Sequence, residues 1–216
     1  MHLSCVKMDY TVTTENRVTY HHGNLREALI EAAVQLLSDA GAAALSLRKV
    51  AIQAGVSHAA PYHHFKDKEA LLAAVCERGF MSMTEAMNKA EGDDPFDHLN
   101  AIGHAYLSFA RSEPDLYRFM FGSEVPDKHE HPELMACAHG TFGTLVEVVE
   151  RCVESGQTRD GHPVEMAMQV WAMTHGIASI LNNGMHEGPL NKLDSPPDMT
   201  ALLAAYMTSV TASIRA

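Results

Sequence analysis

Residues 56 to 71 read Val-Ser-His-Ala-Ala-Pro-Tyr-His-His-Phe-Lys-Asp-Lys-Glu-Ala-Leu. The stretch sets three imidazoles, a phenol, a hydroxyl and two ammonium groups around Pro61, just after Gly55. These are hydrogen-bond donors and modest cations, the groups that hold an anion rather than break a bond. Ser57 stands where a short helix begins, and a hydroxyl beside free helical N–H groups suits a phosphate.

Nothing comparable points to catalysis. The chain offers no paired carboxylates, no nucleophile beside a base and no glycine loop to cradle phosphates, so no enzyme and no cofactor are expected. Fourteen histidines invite a metal, but none are paired as His-x-x-x-His on one helix face, and no metal is expected. Cys5, Cys76, Cys137 and Cys152 match neither a Cys-x-x-Cys site nor a disulfide framework; inert thiols fit better than sensors. No apolar run approaches the roughly 20 residues that cross a bilayer, and the first residues lack a signal-peptide core. A soluble, cytoplasmic chain with no membrane partner is expected.

Charge separates the chain into parts. The formal net charge is −11, yet residues 20–68 carry five basic against four acidic groups, while residues 69–216 carry nine against twenty-one. A polyanion would be repelled by the back of the molecule and tolerated at the front.

The elements that must position these groups are helices. Leucine, alanine and methionine abound, and β-branched runs are scarce. Asn24 to Ala40 has a good N-cap, one apolar face and a stop at Gly41. Ser46 caps a short helix over 47–54 that ends at Gly55. Val56 reads as a buried hinge, and Ser57 as the cap of a third helix over 58–64, with Pro61 tolerated in its first turn. Asp67 caps a long helix fading near Gly92, with Leu71, Leu72, Val75, Phe80 and Met83 along one side. The pair around Gly55 has helix-turn-helix spacing. Further helices are predicted over 95–112, 114–122, 133–155, 164–186 and 199–214, with loops at 124–132 and 188–198. The predicted fold is all-α: a disordered leader (1–19), a three-helix helix-turn-helix domain (20–68) and a larger helical ligand-binding and dimerisation domain (69–216).

Residues 20–71 resemble the DNA-binding domain of TetR-type transcriptional regulators. The resemblance is carried by the helix ending in Ala-Gly, by Leu-Arg-Lys-Val-Ala, by Ala-Gly-Val-Ser and by Tyr-His-His-Phe-Lys-Asp-Lys-Glu-Ala-Leu. A weaker likeness at Trp171-Ala-Met-Thr-His175-Gly176 is to the Trp-His-Gly type of C-terminal domain in the same family. The resemblance implies a homodimer that binds a near-palindromic operator in double-stranded DNA and is released by a small-molecule effector. Residues 58–64 would then be the recognition helix. Ser46, Arg48, Ser57, Tyr62, His63 and Lys68 would hold phosphates, and His64 would either do so or pack on the turn. His58, Ala59, Ala60 and Pro61 would enter the groove. Since this segment has no Arg, Asn or Gln for bidentate base pairing, thymine methyl contacts and DNA shape would carry specificity. The bland alternatives are Tyr62 as a core residue and Lys49, Lys66 or Lys68 as solvated charges.

In the back domain, methionines and aromatics at helical spacing are core first and pocket second. Tyr106, Phe109, Met120, Phe121, Met135 and Phe142 are candidate ligand contacts, with Trp171, Thr174 and His175 as the polar groups. For Trp171 and His175, a helix-packing cluster closed by a hydrogen bond is the competing reading. The last two helices carry apolar stripes that either pair with a second copy or bury internally. The leading expectation is a ligand-responsive regulator, most often a repressor. The alternatives are an activator, or a helical adaptor that borrows the fold without sequence-specific DNA binding.

Overall fold

One helix belongs to both halves of the molecule. In the computed structural model, which describes residues 25–216, α3 (Lys68–Asn88) runs for 21 residues from the front of the chain into its centre. The leader at 1–19, the Tyr20-His21-His22 arm and the Asn24 cap lie outside the described residues. Before α3 come α1 (Leu25–Ala40) and α2 (Leu47–Gln53), with 3-10 turns at Ala42–Ala44 and Ala60–His63. After it come α4 (Pro95–Ser112), α5 (Pro114–Phe121), α6 (Pro132–Glu154), α7 (Pro163–Asn182), a one-turn α8 (Glu187–Leu190) and α9 (Met199–Ala212).

The front unit closes around Leu29, Leu37, Val50, Phe65, Leu71 and Val75, each at most 2 % exposed. Side-chain caps fix two of its helix starts. Ser46 Oγ accepts from the Lys49 N–H at 3.2 Å, and an Asp67 carboxylate oxygen from the Ala70 N–H at 2.8 Å. Charge pairs tie α1 to α3: Arg78 donates to Glu27, and Arg26 lies 3.7 Å from Glu77 and over the Phe65 ring.

The sharp turn between α2 and the next segment depends on Gly55, at φ +68°. Its N–H donates to the Ile52 carbonyl and that of Val56 to Ala51. Behind α3, helices α4, α6 and α7 form the bundle, and α9 packs on α4 and α7. The C-terminus is pinned back: Ala216 N–H donates to Gln157 O, Arg159 N–H to Ile214 O, and the Arg215 guanidinium sits 4.3 Å from the Phe96 ring centre.

The all-α reading and the order of the long helices hold, and α4 keeps its predicted bounds. Several details differ. The third front helix is one 3-10 turn, Ala60–His63, rather than a helix over 58–64. Ser57 does not cap it; the Ser57 carbonyl accepts from Ala60 N–H. Val56 is half-buried, not buried. α3 ends at Asn88, short of Gly92. α7 ends at Asn182 rather than 186, because Gly184 turns the chain at φ +66° and lets Met185 N–H return to Ile180 O. The 188–198 loop begins inside α8.

A Cβ on Gly55 would meet nothing within 4 Å, so substitution there tests backbone conformation alone. Gly55→Val should lower the unfolding free energy by about 1–2 kcal/mol, and Gly55→Asn by less, since asparagine tolerates the left-handed region. Urea denaturation of the three proteins checks the order.

Candidate nucleic-acid interface and effector cavity

At the front, the chain turns polar groups outward. Arg48, Ser57, His58, Ala59, Tyr62, His63, His64 and Lys68 are all exposed, and Ser46 is half-buried. Tyr62 is 61 % exposed, which removes the reading of it as a core residue. Its phenol projects because the next turn is held from below: Pro61 and Phe65 point into the core on either side of it, and the Pro61 carbonyl accepts from both His64 and Phe65 N–H. Pro61 is therefore a correction. Its ring is buried under the turn and offers no face to a groove, which leaves Ala59 and the half-buried Ala60 as the methyl surface. Ser46 Oγ uses a lone pair on the α2 cap and keeps its proton for a further acceptor. Lys66 lies 3.9 Å from Asp67, whereas Lys68, at the first turn of α3, has no ion pair among the described residues.

At the back, a cavity of about 370 Å³ opens between α3, α4, α6 and α7. Of the expected contacts, Tyr106, Phe121, Met135, Phe142 and Trp171 line it. Thr174 lies on a small adjoining void of about 20 Å³, with its hydroxyl donating to the Val170 carbonyl. Phe109 and Met120 do not reach the wall: both are buried in packing, and Met120 lies against Gly79 of α3, where a Cβ would sit 2.5 Å from its Sδ. The sequence pattern places Phe80 and Met83 on the apolar side of α3 without assigning them to a ligand. With Met87 they form the α3 wall, and Ala138, Thr141 and Leu145 extend the α6 wall. Their helical periodicity looks the same whether the neighbour is protein or empty space.

His175 is not on the wall either. It closes a hydrogen-bonded chain behind it. The Tyr117 hydroxyl is 2.7 Å from His175 Nδ1, and the Tyr106 hydroxyl is 3.1 Å from both. The Trp171 side chain interacts with the Tyr106 hydroxyl as well and offsets part of the rise in its pKa. With a neutral His175 accepting at Nδ1, the phenols can be ordered either way, Tyr106 to Tyr117 to His175 or Tyr117 to Tyr106 to His175. Burial pushes the Tyr106 phenol up to about 12 and raises Tyr117 as well, and it lowers the His175 imidazole, so the chain is uncharged. Tyr117, on α5, was missed because a lone tyrosine in an eight-residue helix carries no signal. The thiols are quiet too: burial raises Cys137, with Glu77 and Glu133 adding to it, and raises Cys152 to about 11. Among the described residues no cluster of three His, Cys, Asp or Glu is placed to hold a metal, and no helix is long and apolar enough to cross a membrane.

A small head with a helix-turn-helix on a helical bundle with a ligand-sized cavity defines a class of DNA-binding protein. Residues 29–75 match the family of bacterial regulatory proteins of the tetR type, and residues 99–209 match the tetracyclin repressor-like C-terminal domain. The chain belongs to the TetR family of DNA-binding regulators. It is 31 % identical to a solved protein of unknown function from Rhodococcus sp. RHA1, covering 92 % of this chain and all of that one, with a TM-score of 0.76. The TetR family transcriptional regulator PfmR from Thermus thermophilus shares the fold at a TM-score of 0.64 and 22 % identity, over 85 % of this chain and 97 % of that one. The nucleoid occlusion factor SlmA of Vibrio campbellii is 26 % identical over 89 % of this chain and 96 % of its own length.

The neutral imidazole sets a pH dependence. Its pKa is depressed in the folded state from an ordinary value of 6.5, so below that value the unfolded chain binds a proton that the folded chain refuses. Its contribution to stability is present above pH 6.5 and declines as the pH falls towards the depressed value. In urea unfolding at pH 7 and pH 5, His175→Gln should show a smaller loss between the two than the parent protein.

Proposed function

We propose that this protein is a ligand-released repressor that acts as a homodimer on a near-palindromic operator. Each protomer would present the 57–64 turn to a major groove and hold the flanking phosphates with Ser46, Arg48, Ser57, Tyr62, His63, His64 and Lys68. Its C-terminal domain would be of the Trp-His-Gly type, which fits the place of Trp171 and His175 in one network around the cavity. The dimer would form through α7 and α9. The outward face of α9 is Ala201, Ala204, Ala205, Thr208 and Ala212, uncharged and small, while Met168 and Ile180 of α7 stand 47 % and 45 % exposed. A second copy covers such faces symmetrically.

The observation that carries the reading is the double role of α3. Lys68 lies at its exposed start, and Phe80, Met83 and Met87 form a cavity wall further along the same rigid helix. Lys68 and Phe80 are roughly 18 Å apart along the axis at 1.5 Å per residue. A ligand that displaces the wall tilts the phosphate-binding end. Two heads must meet half-sites on the order of 34–36 Å apart or a multiple of that, so a small tilt in each loses register. The coupling is reciprocal: bound operator must weaken ligand binding by the same factor.

Selection from a random DNA pool should return a near-palindrome, and gel shifts on it should weaken steeply with salt. Lys68→Ala should reduce the slope of log K against log salt by about 1, whatever the operator sequence. Failure to select any sequence would favour the adaptor reading and sink this one. Ala205→Arg, on the outward face of α9, should convert the dimer to monomer in sedimentation and abolish operator binding with the fold intact by circular dichroism.

A further inference from the structure

We infer that the cavity takes an uncharged, flat, largely aromatic molecule that enters apolar end first and leaves a single polar group at the rim beside His139. The inference rests on the cavity being an effector site and goes beyond that reading by naming the chemistry of the occupant.

No Asp, Glu, Lys or Arg lines the cavity. A carboxylate or phosphate placed among the rings would have no partner to replace its water, and a cation would have no counter-charge. The lining polar groups are already occupied among themselves. Thr141 Oγ1 lies 2.8 Å from Thr84 Oγ1 and also donates towards the Cys137 and Phe80 carbonyls. The Tyr106 hydroxyl is taken by Tyr117, His175 and Trp171. The remaining polar side chain is His139, exposed at the mouth on α6, with no hydrogen bond or ion pair among the described residues.

The wall between is a run of rings. Phe80 meets Phe121 edge to face at 5.6 Å, Phe121 lies 6.4 Å from Trp171, and Trp171 lies 6.3 Å from Phe142 at a steep angle. Such rings accept another aromatic edge or face in the space they enclose, and Met83, Met87 and Met135 adjust to its outline. A volume of about 370 Å³ is near the lower end of the usual range for ligand pockets, roughly 300–1,000 Å³, which fits two or three fused or linked rings.

The chain has one tryptophan, and it stands on this wall, so Trp171 emission reports occupancy directly. The full-length protein is titrated with three probes that share one phenylnaphthylamine body: neutral N-phenyl-1-naphthylamine, the anionic 8-anilinonaphthalene-1-sulfonate, and a cationic analogue with a trimethylammonium group in place of the sulfonate. The neutral probe should quench Trp171 by energy transfer and saturate at one per protomer. Each charged probe should bind about 10- to 100-fold more weakly, the cost of burying an uncompensated charge. Ala138→Phe, which fills the cavity from α6 while keeping every aromatic of the wall, should remove the neutral probe's binding and leave the circular dichroism unchanged. Met135→Glu at the mouth should reverse the preference in favour of the cation.

Equal or tighter binding of either charged probe, or no quenching by the neutral one, overturns the inference. So does binding that survives Ala138→Phe in a protein that still folds. Addition of the neutral probe to the operator complex separates the two readings. If it binds the cavity and leaves operator affinity unchanged, the ligand class stands and the release mechanism fails.

Discussion

Everything in this molecule turns on α3 having to be buried along most of its length by two different neighbours. Its first turns pack against α1, with Leu71 and Val75 fully covered. Its middle and end are enclosed by α4, α5 and α6, where Cys76, Met83 and Met87 are covered in turn. A helix sheathed at both ends cannot shift at one without shifting at the other. The contact at Gly79 makes this strict: the glycine lets Met120 of α5 lie directly on the backbone of α3. Side-chain slack is absent at the place where the two halves meet, so any movement of the α3 backbone beside the cavity would reach the head undiminished.

The charge distribution follows the same division. The acidic excess lies in residues 69–216, leaving the head near neutrality before its histidines are counted. A duplex approaching from any direction is repelled by the bundle and tolerated at the head. The groups proposed to hold it there are mostly short-range donors: a phenol, hydroxyls, imidazoles and the N–H groups of short turns. Such donors grip phosphate only at hydrogen-bonding distance, unlike a field of lysines. The consequence is that the arrangement favours correct register over indiscriminate attraction, which suits a chain whose head offers small apolar side chains and histidine, with no bidentate base readers in the 58–64 turn.

How much of this could be read from residues depended on whether the signal was local. Caps and breakers are local, so Ser46, Gly55, Asp67 and Pro95 placed the helix starts and the tight turn correctly. Gly184 is as local, yet the apolar pattern continuing through Met185 masked it and stretched α7 by a turn. Ser57 resembles a cap, which makes the 58–64 segment read as a helix; in fact the turn is organised from inside, by Pro61 and Phe65 burying on either side of Tyr62. Burial direction within a single turn is a tertiary property, and a four-residue sequence is too short to show a period. The cavity illustrates the same limit. Phe121, Phe142 and Trp171 stand out in the sequence as bulky residues in the right domain, but Phe109 and Met120 have the same credentials and are packed solid. What separates wall from core is the geometry of four helices, which no one of them encodes.

The neutral chain from Trp171 through Tyr106 and Tyr117 to His175 links these observations. It joins α4, α5 and α7 behind the cavity, and burial keeps its two phenols and its imidazole uncharged. Breaking such a network strands polar atoms at a cost of about 1–3 kcal/mol each, which holds its members in place. The wall formed by Tyr106 and Trp171 is therefore stiff, while the opposite wall of Met83, Met87 and Met135 is compliant. On the proposed reading, an occupant larger than the resting space would be pressed from the stiff side towards α3. That asymmetry gives the displacement a direction, and the direction leads along the one helix that ends at Lys68.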